Sequence, residues 1–451
     1  MMACPTLSRK VRGLCAIAGG ILIHLTLGNL YSFGNMMTYM VSYMHQRVDP
    51  SITYANIIWV NSITTMSQGF FMVVGGLMEK KAGPRLTCLL GCSLLSAGIM
   101  LTRYTVEVSL FAVDLTYGML SGLGISLAYT TPLSCGMQWF PGHKGVINGL
   151  IVAGFGLGAL GSTNIQTAFL NPENKPPQSD GYFVEASILD RVPSVFVLLG
   201  AVFLVMQGVG CMLLNKPPQD KVMTYIQEGE SLLAKEVTYD AQELQTISPA
   251  TVTATTEPCK DLKPAEIIKN RTFYVLWLMY FFNTIAIGYI NAMGKSFGQT
   301  FIKDDHFLAA MVSLAAIFNA GGRVVWGRLM DLTSFRVAMR LLTSVLALLF
   351  ATMPLTASMG RAAFTLWLWA IFFTFSGTFA LMPTAIEKAF GAEHYSANYG
   401  LLFTSQTVSG PLIAAGNQLL LTTFGFTGCF LVVAGIIVLS VGMTFLVPKR
   451  I

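Results

Sequence analysis

The sequence predicts an all-α membrane protein that crosses the bilayer with twelve transmembrane helices, six on either side of a polar central stretch. Three observations predict it. The first is composition: 53% of the 451 residues are hydrophobic and only 11% are charged, where soluble domains average about 25% charged. The second is a series of apolar runs, each near the roughly 20 residues that a helix needs to cross the hydrocarbon core. The third is an internal echo, "GGLMEKKAGPR" at 75–85 and "GRLMDLTSFR" at 327–336, each following the second span of its half.

The spans expected in the first half are 13–42, 54–76, 86–103, 109–137, 145–169 and 193–214. Those expected in the second half are 272–298, 307–329, 338–357, 364–386, 397–422 and 426–447. The first run is too long for the core of a cleaved signal peptide, so it reads as a helix that stays. Membrane strands are excluded, because these runs are long and do not alternate. The domain reading is therefore 1–214, a linker loop at 215–271 and 272–451. The linker is polar, mixed in charge and rich in Pro and Thr; it reads as a tether, with room for one short amphipathic helix near 221–236.

Lys and Arg set orientation. Arg9, Lys10, Arg12, Lys80, Lys81, Arg85, Lys144, Arg328, Arg336, Arg340, Lys388, Lys449 and Arg450 fall on the side of the two termini. Fewer, among them Arg47, Arg103, Lys175, Arg191, Lys295, Lys303 and Arg361, fall on the other. Both termini and the linker are thus expected in the cytoplasm, with the plasma membrane as the default and an organelle membrane as the alternative. The sequon Asn270-Arg-Thr lies on the cytoplasmic side and should carry no glycan.

Several function classes drop out. The net charge of +6 reflects loop bias and gives no nucleic-acid surface. No "GxxxxGK[ST]" occurs, so the driving force is a gradient or an exchange partner. The five His (24, 45, 143, 306, 394) are scattered, which argues against a membrane enzyme, and the linker is too short for the soluble domain of a receptor. The eight Cys show no metal or disulfide spacing, and most lie in apolar runs, where they read as buried inert thiols. No cofactor or metal is expected; the bilayer is the one certain partner, and an accessory subunit is left open.

The two echoed loops read as a breakable latch at the cytoplasmic mouth. Gly lets helices approach closely. Glu79 and Asp331 can accept from orphan amides or from a base across the gate, and Arg85 and Arg336 can pair with an acid on a neighbouring helix. Arg328 belongs to the same loop, and Glu387 at the inner end of the tenth span joins the gate with Lys388.

These loops resemble the signature loop of the major facilitator superfamily. "WFPGHKGVINGLIVAGFGLGALG" (139–161), "GNLYSFG" (28–34) and "EKAFGAEHYSANYGLLFTSQTVSG" (387–410) resemble the oxalate/formate antiporter and monocarboxylate transporter group. The resemblance implies two six-helix bundles around a central cavity that opens alternately to either side. It also implies a small carboxylate as cargo, moved with a proton or by exchange.

Arg323 stands in an apolar run eight residues before Asp331, about 12 Å of helix inward and hence near the midplane. One reading is a structural Arg held by a carbonyl or an acid. The other is an anion site, since a guanidinium stays charged and its fork matches a carboxylate. In monocarboxylate transporters an Asp stands four residues before the matching Arg; here it is Asn319, which cannot titrate. Asn35 falls where proton-coupled relatives have Lys, and Gln406 near the place where the bacterial oxalate carrier has a second Lys. One fixed cation suits a monoanion such as lactate or pyruvate better than oxalate.

His24 is the candidate for proton coupling, with Asp114 behind it; either could instead be a packed polar residue. Tyr31 and Asn35, four apart on one helix face, and Tyr129 on the fourth span could orient a carboxylate, or could bond between helices. Gly154, Gly156, Gly158 and Gly161 on the fifth span, with Gly118, Gly122 and Gly124 on the fourth, read as close-packing surfaces.

Overall fold

The structure, a computed structural model, describes residues 9–448 apart from 174, 176, 179–181, 218–260 and 303. The helix expected near 221–236 and most of the expected linker lie outside the described residues, as do Cys4, Cys259, Lys303, Lys449 and Arg450.

The described chain is helical wherever it is apolar, because only a helix satisfies its own backbone polar groups in hydrocarbon. The first half supplies α1 (residues 9–47), α2 (Tyr54–Ala82), α3 (Pro84–Thr105), α4 (residues 110–139), α5 (Lys144–Leu170) and α6 (Val192–Leu213). The second supplies α7 (Arg271–Gln299), α8 (Asp305–Leu332), α9 (Phe335–Thr352) and α10 (Arg361–Phe390). A last stretch, Tyr395–Met443, breaks at Gly425, where φ is +61°. We number its parts α11 (395–424) and α12 (426–443). Eleven stretches of the described residues are long and apolar enough to cross a membrane; α11 accounts for the twelfth expected span.

Two helices depart from regularity. α1 consists of Arg9–Leu27 and Phe33–Arg47 joined by a tight 3-10 segment, Gly28–Ser32. α4 contains a π segment at Asp114–Leu120; such wide turns recur at functional positions. The halves repeat each other in detail. Pro132 in α4 and Pro383 in α10 each lie seven residues before the last residue of their helix (139 − 132 and 390 − 383).

Large apolar side chains such as Phe70, Phe111, Val205, Met212 and Leu366 are exposed, an outward coat that lipid covers. Contacts within each half link α1 to α5 and α6, α3 to α4 and α6, α2 to α4, and α8 to α10. The halves meet mainly along α5–α8 and α2–α11, and glycine makes both crossings possible. A Cβ on Gly145 or Gly327 would overlap the backbone of the other, and one on Gly149 would overlap the Arg323 carbonyl. A Cβ on Gly76 would overlap the backbone of Ala397, and one on Gly400 that of Met72 and Val73. Gly154, Gly158, Gly122 and Gly124 likewise meet neighbouring backbone closely, whereas Gly161 has open space beside it.

Candidate functional site

Arg323 lies on α8 where α8 meets α5, with 1% of its surface exposed. Its Nε donates to Asn319 Oδ1, one turn back, at 3.0 Å. Its Nη1 donates to the Val152 carbonyl of α5 at 2.7 Å. That reach across the halves depends on Gly149 and Gly156, which bring the two backbones together; a Cβ on Gly156 would lie 2.7 Å from Asn319 Oδ1. Nη2 has no hydrogen-bond partner. Among the described residues no carboxylate pairs with Arg323.

Aromatic rings surround the guanidinium. It lies 4.9 Å from the ring centroid of Phe379 on α10 and 6.0 Å from that of Phe155 on α5, so both π faces help to hold the charge. Phe155 packs edge-on against Tyr31 and Tyr129, at 5.2 and 5.6 Å. Tyr129 contacts His24, Tyr399 and Phe403, and Phe403 continues to Tyr280, which meets Phe379. These rings come from α1, α4, α5, α7, α10 and α11, so the cluster spans both halves. Tyr31, in the 3-10 segment near the middle of α1, keeps 41% of its surface exposed.

His24 is fully buried, and its Nδ1 lies 3.0 Å from the Gly20 carbonyl. A carbonyl only accepts, so Nδ1 carries the hydrogen and Nε2 presents a lone pair; Nε2 has no partner. Tyr129 and Tyr31 stand beside the guanidinium. Gln406 is one step away, its Nε2 donating to Tyr280 Oη at 2.9 Å. Asn35 is not brought there. Its amide donates to Gln166 Oε1 and Thr167 Oγ1 of α5, at 3.0 and 3.3 Å. The expected shared face of Tyr31 and Asn35 is lost because Tyr31 belongs to the 3-10 segment and Asn35 to the helix after it. Asn283 donates to Thr378 within the second half, and Tyr289 packs on Phe430.

The residues expected to form a gate lie on the side of the termini, where hydrogen bonds and ion pairs join the two halves. Asp331 accepts from the first amides of α5, Gly145 N and Val146 N, both at 2.9 Å, where the helix dipole favours an anion. Its counterpart Glu79 accepts from Ser396 Oγ at the start of α11, at 2.5 Å, and pairs with Lys216 at 2.9 Å. Lys216 sits above the ordinary lysine range: burial lowers it, but the Glu79 charge and hydrogen bond outweigh that. Two further ion pairs cross the halves, Lys144–Glu387 at 3.1 Å and Lys80–Glu393 at 2.6 Å. The Glu387 side chain is only 4% exposed against 57% for Glu393, so removing Lys144 would leave a buried charge unpaired, whereas water screens the Lys80–Glu393 pair. Asn148 Nδ2 also donates to Thr384 Oγ1 at 2.8 Å.

Arg85 and Arg336 do something other than pair with acids. Arg85 Nε donates to the Leu214 carbonyl at the end of α6, at 2.7 Å. Arg336 Nη2 donates to the Phe445 carbonyl just past α12, at 3.2 Å. Each base caps the unsatisfied carbonyls of a helix end within its own half. Arg328 is exposed and has no ion pair among the described residues.

A family profile described as Major Facilitator Superfamily matches residues 20–415. The chain belongs to the Major Facilitator Superfamily. As a member it is a secondary active transporter of small solutes that works by alternating access. The proton:xylose symporter XylE matches over 98% of this chain and 97% of its own, with a TM-score of 0.69 and 10% identity. The human organic anion transporter MFSD10 matches over 97% and 100%, with a TM-score of 0.64 and 13% identity. These likenesses carry the fold alone. Among sequence relatives, Apicoplast pyruvate carrier 1 of Toxoplasma gondii is 28% identical over 93% of this chain and 86% of its own length. The Oxalate:formate antiporter of Oxalobacter formigenes is 23% identical over 83% and 78%.

Sequence reasoning missed Phe155, Phe379, Tyr280, Tyr399 and Phe403 around the site, and Lys80, Lys216, Glu393 and Ser396 as gate partners. "GFG" at 154–156 was the one local signal, an aromatic ring between two close-packing glycines. It also missed a cluster elsewhere: Cys88, Cys92 and Cys211 come together although their spacing suggests no site.

Proposed function

We propose that this transporter carries a short monocarboxylate anion, lactate, pyruvate or a close relative, and that Arg323 is its anchor. The observation that carries the reading is the uncommitted Nη2 of a buried guanidinium with no carboxylate partner among the described residues. A buried charge is costly unless something pairs with it, and a bound carboxylate supplies that partner. Asn319 and Val152 orient the guanidinium, and Phe155 and Phe379 flank it. One fixed cation favours a monoanion over oxalate, which remains the alternative cargo. The pyruvate carrier named among the relatives supports the same class. The Lys and Arg bias supports cytoplasmic termini. The plasma membrane is the default location, and a relative named for the apicoplast supports an organelle membrane as the alternative.

Transport is by proton symport or anion exchange. The free Nε2 of His24, close to Tyr129 and Phe155, is the candidate proton site for symport; full burial and the nearby Arg323 charge make an added proton costly there until an incoming anion offsets it. Tyr31, Tyr129 and Gln406 complete the proposed lining, Asn35 supports it from the α1–α5 contact, and Glu79, Asp331 and Glu387 form the proposed gate.

Uptake of labelled pyruvate, lactate and oxalate into proteoliposomes, with and without a pH gradient, tests the reading. Arg323→Ala should abolish uptake, and Arg323→Lys should also fail, because the compact lysine ammonium has three donors but lacks the planar fork that spreads them between Asn319, Val152 and a bidentate carboxylate. His24→Gln should remove the response to the gradient while leaving counterflow exchange. Oxalate carried better than pyruvate would sink the charge argument.

A further inference from the structure

We propose that Cys88, Cys92 and Cys211 form a three-sulfur binding site for a trivalent thiophilic metalloid, with arsenite as its probe. The site is separate from the carrier's central cluster. Cys88 and Cys92 lie one turn apart on the same face of α3, and Cys211 comes from α6, which packs against it. The three Sγ atoms lie within 4.8 Å of one another, and all three residues are buried. Among the described residues no His, Asp or Glu joins the group.

Charge chooses the ligand. Thiolates around a monovalent or divalent ion would leave net negative charge among apolar helices, which is costly. Zinc also wants four ligands in a closed site, and here there are three. A trivalent centre leaves the site neutral. Arsenite, As(OH)3, reacts with three thiols: three S–H protons and three hydroxyls leave as three waters, and three As–S bonds form. Nothing is oxidised or reduced, and the charge is zero before and after. Softness points the same way, since thiolate sulfur selects soft centres.

The cluster lies near one end of its helix pair. Arg85, three residues before Cys88, bonds the Leu214 carbonyl, three residues after Cys211. Cys88 and Cys211 therefore lie about 4.5 Å, less than one helical turn, inside the terminus-side end of α3 and α6, and Cys92 lies one turn deeper, about 10.5 Å in. Both helices belong to the first half, so a bridge between them leaves the two halves free to rock.

The test uses the full-length protein, purified under reducing conditions and exposed to arsenite. Intact-mass measurement should show one arsenic in place of three hydrogens, and arsenic X-ray absorption should show three sulfur neighbours. Cys88→Ser, Cys92→Ser and Cys211→Ser should each lose the three-sulfur spectrum and weaken retention about a hundredfold or more, while Cys429→Ser keeps both. Loaded protein should still exchange substrate. No adduct on folded protein would overturn the proposal, as would an adduct unchanged in Cys211→Ser or zinc held in preference to arsenite. Where a serine variant folds poorly, the wild-type absorption spectrum decides alone: fewer than three sulfur neighbours refutes the site.

Discussion

Asn319 Oδ1 accepts a hydrogen bond from Arg323 Nε at 3.0 Å, one helical turn along α8. The amide orients the guanidinium without neutralising it. An acid at the same position would do both, and would compete with any anionic cargo.

Asn319→Asp should therefore weaken monocarboxylate uptake near neutral pH, raising KM about tenfold, which corresponds to about 1.4 kcal/mol. An aspartate beside arginine stays ionised well below its ordinary range. The deficit should thus persist at neutral pH and shrink only as acid protonates the new carboxyl. Uptake kinetics across a pH series measure this, and an unchanged KM would contradict the role given to Arg323.

Gly149 touches the backbone of Arg323, so a larger residue there cannot be absorbed by a rotamer change. Gly149→Val should force α5 from α8 and separate Arg323 Nη1 from Val152. Overpacking of this kind costs about 1–3 kcal/mol. The melting temperature of detergent-purified protein should fall by several degrees, and transport should be lost. Gly161→Ala, at an open position, should leave both intact; loss of transport there as well would mean that close packing is not the cause.

The Lys144–Glu387 pair invites a double-mutant cycle. Lys144→Met leaves Glu387 buried and unpaired, which should destabilise the closed gate by about 1–3 kcal/mol, less than a fully buried pair would lose because Lys144 is partly exposed. Lys144→Met with Glu387→Met should recover most of that loss. Spin labels at Lys81→Cys and Ala392→Cys report the gate distance. A double variant as open as the two single effects summed would show that the pair does not couple.

Glu393 lies below its ordinary value of 4.5, held ionised first by the Lys80 hydrogen bond and then by the Lys80 charge. A depressed carboxylate contributes fully above its ordinary value and loses its contribution as pH falls through the lowered one. Lys80–Glu393 should therefore stay formed throughout the neutral range. Any neutral-range pH dependence of uptake should survive in Glu393→Gln, and its disappearance in that variant would reassign the proton response to the gate.

How far these features could be read from sequence depends on what each residue touches. Arg323 was legible because a lone charge in a long apolar run is conspicuous whatever surrounds it. Glu79 and Asp331 were legible because the same loop occurs twice. Phe155 and Phe379 were not, since a phenylalanine flanking Arg323 and one facing lipid look alike in a helix that is apolar all round. Their roles appear only when the two halves are set against each other. The partners of Arg85 and Arg336 were hidden for another reason: they are main-chain carbonyls, and carry no residue identity to read. The thiol cluster needed the α3–α6 contact to bring Cys211 beside Cys92.

At Gly145 and Gly327, and again at Gly76 and Ala397, main chain rests on main chain. A bearing made of peptide backbone has the same dimensions whatever side chains line the proposed site beside it. The lining can therefore be exchanged residue by residue, and the cargo with it, while the clearance between the moving halves stays fixed. Selectivity can drift over evolutionary time without the mechanism having to be rebuilt.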